Sequence, residues 1–402
     1  GVLIGGEFSL NCYLEHVNKM ELIETRAFGT ITMQELIRSA QVILPCSPFD
    51  ETLTFFTNRL GFQLDLISPA DDPAIALLSG YGLNLRLERN ISEMTQATST
   101  IRLVLKNDSE LFQNAITEMF APNGTKIEIV KETTELVIPP IEQAFVVSKV
   151  ATNATWVRGR AGMNYRDLIP GRLGGRFIAS HIQIPTGGPV ADYVHYHEIR
   201  FQMIYVYRGW VRLVYEDQGP PFVLQAGDCV LQPPLIRHRV LESSAGLEVI
   251  EVACPATHST YIDHHMQLPN TEQRLDRDYK GQRFVKYLAA DETAQWHPWR
   301  LSGFEFQDTG IGLATADLAG VRIVRNSGDL KSQVLQHNAE FVFIFVLAGE
   351  LTLHVTGHAS EKMTNGDAFV VPEKLSYNFS ECSKNLQFLE VSLPGTVNFV
   401  CE

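Results

Sequence analysis

The stretch YVHYHEIRFQMIYVYRGW, residues 193–210, sets His195 and His197 one residue apart on a strand-like run and continues through Gln202 to Gly209. On a β-strand, residues i and i+2 project to the same face, so both imidazoles can converge on one ion. Further along come Gly227, Pro233 and His238. A strand carrying His238 beside the first would add a third imidazole on the same side. Metal chemistry is therefore the first function to weigh.

Outward from this stretch the chain is strand-rich from about residue 156 to its end. Short apolar runs such as FIASHIQI, QMIYVY, VRLVYE, LEVIEVA, VRIVR, FVFIFVLA, AFVVP and LQFLEVSL are separated by turn residues, which predicts a sandwich or barrel. An internal repeat predicts two copies. Gly209-Trp-Val-Arg-Leu recurs as Gly349-Glu-Leu-Thr-Leu, and Gly227-Asp-Cys-Val-Leu-Gln-Pro recurs as Gly366-Asp-Ala-Phe-Val-Val-Pro, at nearly the same offset along the chain. The polar segment 268–282 reads as the linker between copies. In the second copy, register from these glycines puts Leu335 and His337 where the first has His195 and His197. Val342 then answers Gln202, and Tyr377 answers His238. One imidazole cannot hold a divalent ion, so the second copy is expected to be scaffold or a pocket for an apolar ligand.

These motifs resemble those of the cupin superfamily, over about residues 156–400, as a bicupin. The expected fold is mainly β, with two cupin barrels (double-stranded β-helices) over 156–267 and 283–400. The family's first motif sets a Gly before His-x-His, then a Glu, then a Gly; His195, His197 and Gly209 fit, and Gln202 stands at the Glu position. Its second motif is matched by Gly227, Pro233 and His238, while Leu235 replaces a Gly and Glu242 replaces an Asn. The resemblance implies one divalent transition metal held by His195, His197, Gln202 and His238. Neutral imidazoles suit Fe, Zn, Ni, Co or Mn. An amide oxygen in place of a carboxylate leaves the ion's charge uncompensated, which favours anionic, oxygen-chelating substrates.

The leading functional expectation is a metal-dependent enzyme acting on a small anionic or polyoxygenated molecule by isomerase or lyase chemistry. An Fe(II)-dependent dioxygenase is one alternative, and a non-catalytic small-molecule binding or sensing protein another, because one fold hosts many chemistries. Glu242 shares parity with His238 and Val240, so it is expected to enter the barrel as general base or ligand orienter. His181 and Gln183 either line the cavity or face solvent. Asp263-His264-His265 reads as a solvated turn, and Trp296-His297-Pro298-Trp299 as a packed connector.

Toward the N-terminus, residues 1–38 read as a helical lead-in. In QVILPCSPFDETLTFFTNRLGF (41–62), a strand and a turn lead to a helix closing on Leu-Gly-Phe, and FQLDLI, AIALLS and LNLRLE follow as strands. A weaker second pass has a strand at 101–105, a helix near Glu110–Met119, and strands TKIEIV and AFVVSKV. Residues 39–150 thus resemble an α+β glyoxalase/vicinal-oxygen-chelate (VOC) βαβββ domain. That likeness puts Gln41 and Glu88 at metal-binding positions of the first module. Two ligands make no site, so a structural or dimer-forming role is expected, consistent with a homodimer.

The 402 residues contain 33 Lys plus Arg against 46 Asp plus Glu, a formal net charge of -13. This balance repels phosphate backbones and anionic lipid, so neither nucleic acid nor membrane is an expected partner. No run approaches the roughly 18–20 apolar residues of a membrane helix. The stretch GVLIGGEFSLNCYLEH lacks the basic flank of a signal peptide. Six scattered cysteines without a CxxC suit free thiols in a reducing compartment, so a cytoplasmic location is expected.

Overall fold

Short runs of Val, Ile, Phe and Tyr between Gly and Pro turns form strands, and strands dominate the molecule. The computed structural model describes residues 41–68, 74–89, 99–105, 118–131, 136–153, 155–158, 163–291, 293–328 and 333–401. The chain separates into two compact units, Gly1–Thr134 and Glu135–Glu402. The helical lead-in expected over 1–38 lies outside the described residues.

In the first unit, β1 (Val42–Pro45), α1 (Phe49–Thr54), β2 (Gln63–Ser68), β3 (Ile75–Gly80) and β4 (Leu83–Glu88) follow the expected strand–helix–three-strand order. The sheet order is β1-β4-β3-β2, with β1 parallel to β4. Leu44, Phe49, Phe56, Leu78, Leu85 and Leu87 form its core. A second sheet pairs β5 (Thr100–Leu105) in parallel with β7 (Lys126–Lys131), and β6 (Glu118–Phe120) runs antiparallel to β7. The helix expected near 110–119 falls mostly outside the described residues, and its last two positions, Glu118 and Met119, are strand.

The strand AFVVSKV departs from expectation. The part of it that is strand, β8 (Val146–Ser148), belongs to the second unit, where it pairs with Ala368–Val370 of the second barrel. The module expected to run to residue 150 therefore stops short of it. In the first barrel, β9 (Val157–Arg158), β10 (Asn164–Asp167) and β11 (Ile178–Ile184) precede β12 (Gly188–Pro189) and β13 (His195–His197). Then come β14 (Phe201–Arg208), β15 (Trp210–Tyr215), β16 (Phe222–Gln225), β17 (Cys229–Leu231), β18 (His238–Ser243), β19 (Leu247–Cys254) and β20 (Thr260–Ile262). One wall is a seven-stranded sheet, Val285–Tyr287 then β17-β14-β19-β11-β10-β9. The other is β16-β15-β18-β13-β20, with β12 beside β18. The second barrel repeats this plan, with Phe341–Ala348 and Gln387–Leu393 central in its larger sheet.

The two barrels exchange edge strands. Val285–Tyr287, which the sequence places at the start of the second copy, pairs with β17 of the first. Conversely β8, which precedes the first copy, closes the second. The interval from Val146 to Val285 equals that from Gly227 to Gly366, so the repeat reaches back further than its glycines suggest. The Gly-Asp pair explains how the exchanged strand is held. Asp228 Oδ1 accepts the Ala289 N–H at 2.8 Å, and Asp367 Oδ1 accepts the Val150 N–H at 2.8 Å. The glycine in front has φ of +98° at Gly227, and a Cβ there would come 2.8 Å from Ala289 Cβ. Only glycine leaves room for the visiting strand.

The larger sheets of the two barrels pack face to face. Phe177 stacks on Phe341 with centroids 4.1 Å apart, and Phe201, Met203, Phe343 and Val391 fill the surrounding core. At the edge of this contact Glu340 of the second barrel accepts from Arg176 at 2.7 Å and from Arg200 at 2.8 Å, both on the first. Burial pushes the Glu340 carboxyl up, but the Arg200 and Arg176 bonds outweigh it and hold it below its ordinary value of 4.5.

Replacing Gly227 by Ala should lower the urea midpoint without changing the slope, a loss of roughly 1–3 kcal/mol for a side chain forced into positive φ. Because the Glu340 carboxyl is depressed, its contribution is present above about pH 4.5 and lost as pH falls below that. A stability–pH profile below pH 4.5 should therefore be flatter in Glu340→Gln than in the parent chain.

Candidate metal centre

Three imidazoles meet inside the first barrel. β13 lies between β18 and β20, and its register sets His195 directly opposite His238. The ring centroids of His195 and His238 are 4.3 Å apart, and His197 lies 5.3 and 5.4 Å from them. All three side chains are buried, and their ligating nitrogens lie within 4.8 Å of one another.

Backbone carbonyls set the tautomers. His195 Nδ1 is 2.8 Å from the Tyr193 carbonyl, His238 Nδ1 is 3.0 Å from Ile236 O, and His197 Nδ1 is 3.3 Å from Ser259 O. A carbonyl only accepts, so each Nδ1 donates and Nε2 carries the lone pair. Outer bonds of this type orient imidazole ligands for metal. Gln202, on β14, lines the same cavity and is buried, and its Oε1 has no hydrogen-bond partner among the described residues. A buried amide oxygen left alone costs about 1–3 kcal/mol, so this acceptor is suited to a cation. Three imidazoles and an amide oxygen form a neutral donor set that fits a divalent transition metal.

The surrounding cavity encloses about 90 Å³. Ile182, Ile184, Ile204, Leu213, Val240 and Val249 supply apolar wall, and Glu251, Gln232, Tyr215 and Tyr165 add polar groups. Gln232 Nε2 donates to Tyr215 Oη at 2.8 Å, and the Tyr215 ring stacks on His238 at 5.5 Å. Burial raises the Tyr215 phenol well above its ordinary range, so it stays protonated.

Glu242 is not in this cavity. Leu213 pairs with Val240 while the adjacent Arg212 pairs with Glu242, so Leu241 is an extra residue, a β-bulge that reverses parity beyond it. Glu242 therefore points outward, 38% exposed, in an ion pair with Arg212 at 3.4 Å. The carboxylate that does line the cavity is Glu251 on β19. It was legible as the one acid on the Leu247–Val249–Glu251 face of β19, the other acid, Glu248, lying on the opposite face, once that first face was known to point inward.

His181 takes neither of its expected places. Ile182 and Ile184 face the cavity, which turns His181 toward the second barrel, where it is 4% exposed. Its Nδ1 accepts from Arg166 at 3.0 Å and its Nε2 meets Glu248 at 2.7 Å. Burial lowers its pKa, so the ring is neutral. Gln183 shares its parity and pairs with Asn164 and Glu248. Asp263 caps a turn by accepting the His265 and Met266 N–H groups. Trp299 is packed in the core of the second barrel. In the N-terminal unit Glu88 pairs with Pro45, so Gln41 lies four residues away along the strand. That is about 13 Å, too far to share an ion.

The second barrel has neutralised its copy of the centre. His337 Nε2 is 3.0 Å from Val371 O, and His337 Nδ1 accepts the Ala339 N–H at 3.2 Å, so both ring nitrogens are spent on backbone. Leu335, Val342 and Tyr377 are buried around it. Glu390 is the repeat's counterpart of Glu251, and it pairs with Ile344 as Glu251 pairs with Ile204. Arg300 binds it, with its guanidinium 3.7 Å from the Trp299 and Phe399 rings. Burial pushes the Glu390 carboxyl up, and Arg300 more than offsets this, so it stays ionised.

No family model and no curated protein matches this chain. Among solved structures, a single-residue variant of Bacillus subtilis oxalate decarboxylase aligns at 14% identity over 67% of this chain and 81% of its own, with a TM-score of 0.46. The formate complex of Lactobacillus farciminis oxalate decarboxylase aligns at 14% over 65% and 91%, with a TM-score of 0.46. A variant of Pseudoaminobacter salicylatoxidans salicylate 1,2-dioxygenase aligns at 13% over 66% and 90%, with a TM-score of 0.48. Similarity this remote assigns no chemistry to the present centre.

His238→Ala should remove most bound metal, because two imidazoles and an amide remain, whereas His337→Ala should leave metal content unchanged. Elemental analysis gives the stoichiometry and the melting temperature controls for folding. About one metal per chain, lost only in the His238 variant, is expected of one three-imidazole site. Loss in the His337 variant contradicts it.

Proposed function

We propose that the first barrel is a metal-dependent enzyme of the cupin type, acting on a small molecule, with His195, His197, His238 and Gln202 as ligands. The observation that supports this most directly is the partnerless Gln202 Oε1, buried in a cavity with three imidazoles whose tautomers the backbone has fixed. A divalent ion held there supplies Lewis acidity toward a substrate oxygen. The aliphatic side chains lower the local polarity, which strengthens charge interactions beside them. Glu251 is the cavity carboxylate able to take or return a substrate proton. That pairing of a neutral ligand set with one wall carboxylate favours isomerase or lyase chemistry.

A second reading, an Fe(II)-dependent dioxygenase, is favoured by the same aliphatic walls, which suit chemistry that water would quench. For the N-terminal unit we propose a structural or dimer-forming role, since Gln41 and Glu88 are held apart by register.

Metal analysis of protein purified without added metal separates these readings. Zinc or nickel at about one per chain supports the isomerase or lyase, and iron with oxygen consumption supports the dioxygenase. No bound metal under any loading condition would leave a binding or sensing module.

A further inference from the structure

We infer that the substrate of this centre carries one negative charge, on its chelating oxygens, and otherwise a short apolar chain, as in a small 2-oxo or 2-hydroxy monocarboxylic acid. This rests on the metal-centre reading above and names its substrate class.

Charge sets the first limit. Among the described residues no Lys or Arg lines the cavity, whereas Glu251 does. A second carboxylate, Asp192, has a fully buried side chain whose Oδ1 lies 3.6 Å from His195 Nδ1, behind the ring. A divalent ion held there would thus have Glu251 in the wall of its cavity and Asp192 behind one of its imidazoles. A substrate carboxylate bound at the ion has a direct counter-charge. A second carboxylate further along the substrate would meet Glu251, the neutral Tyr165, Tyr215 and Gln232 groups and aliphatic wall, with no cation among the described lining residues, and burying a charge without a counter-charge is strongly disfavoured.

Wall chemistry sets the second limit. Ile182, Ile184, Ile204, Leu213, Val240 and Val249 offer no donor or acceptor from their side chains. Hydroxyl groups placed against them would lose water without replacement. Polar side chains are confined to Tyr165, Tyr215, Gln232 and Glu251, so the wall favours an apolar chain over one hydroxylated along its length. Size sets the third. A cavity of about 90 Å³ takes roughly six to nine water-sized groups at about 10–15 Å³ each, the chelating head included, which fits a short chain.

The test uses the full chain loaded with cobalt(II), whose visible absorption reports ligand exchange without turnover. Pyruvate and oxalate have the same number of heavy atoms and differ by a methyl group in place of an anionic oxygen. Their different intrinsic affinities for cobalt cancel when the oxalate-to-pyruvate affinity ratio is compared between proteins. Glu251→Gln should raise that ratio at least about tenfold, because the wall no longer repels the second charge. Glu251→Asp, which keeps the charge, should leave it within about twofold. In the unaltered chain, 2-oxobutyrate should bind about fourfold more tightly than pyruvate, as one added methylene is buried. Melting temperatures check that each variant is folded. Cobalt bound with a ratio unmoved by Glu251→Gln overturns the charge limit, and 2-oxobutyrate binding no tighter than pyruvate overturns the apolar one. Failure to take up cobalt overturns the metal-centre reading and this inference with it.

Discussion

A strand shows alternate residues to opposite sides, so fixing one face fixes the other. In the first barrel the larger sheet has its outer face committed to the second barrel through Phe177, Phe201, Met203 and Ile250. That commitment forces Gln202, Ile204, Val249 and Glu251 inward, where they line the cavity. A one-residue slip of β14 would put Met203 in the cavity and strand Gln202 in an apolar interface. The packing between barrels therefore decides which side chains line the first barrel's cavity. The exchanged edge strands reinforce the register, since Asp228 and Asp367 each tie the visiting segment to a tight turn.

The same alternation explains the polar groups between the barrels. Arg166 is 1% exposed and donates to His181 Nδ1 and, at 2.7 Å, to the Gly366 carbonyl. His181 in turn meets Glu248, which also accepts from Arg208 at 3.2 Å. Desolvation lowers the Arg166 and His181 values, and the His181 bond lowers that of Glu248. A buried network of this kind adds little net stability, but breaking one member leaves charge uncompensated. Its consequence is specificity of docking, because the barrels fit only where these partners meet.

Duplication left two barrels with one plan and two interiors. In the first, three imidazoles that could hold a metal ion are grouped in one cavity, with Gln202 and Glu251 in its lining. In the second, a protein cation is already present: Arg300 answers Glu390 between two aromatic rings, and His337 has both nitrogens taken by backbone. The interior carboxylate is common to both copies, and in the second a guanidinium of the protein itself is paired with it.

Composition, turn spacing and the doubled glycines were enough to read two β-barrels, and His195, His197 and His238 were legible because an i, i+2 pair and a distant partner share a side in any sheet. The β1-to-β4 order was legible for the same local reason, a clear run of alternating and helical periods. Glu242 and His181 were misplaced because parity counted along a strand assumes no bulge and no knowledge of which face is inside. Leu241 breaks the count for one, and the second barrel claims the face of the other. Strand exchange was hidden too, since pairing with β17 or with Ala368–Val370 depends on partners far away in the chain. Local periodicity fixes what a segment becomes and which of its residues share a side. Which side turns inward is decided only when two sheets bury their apolar faces against each other.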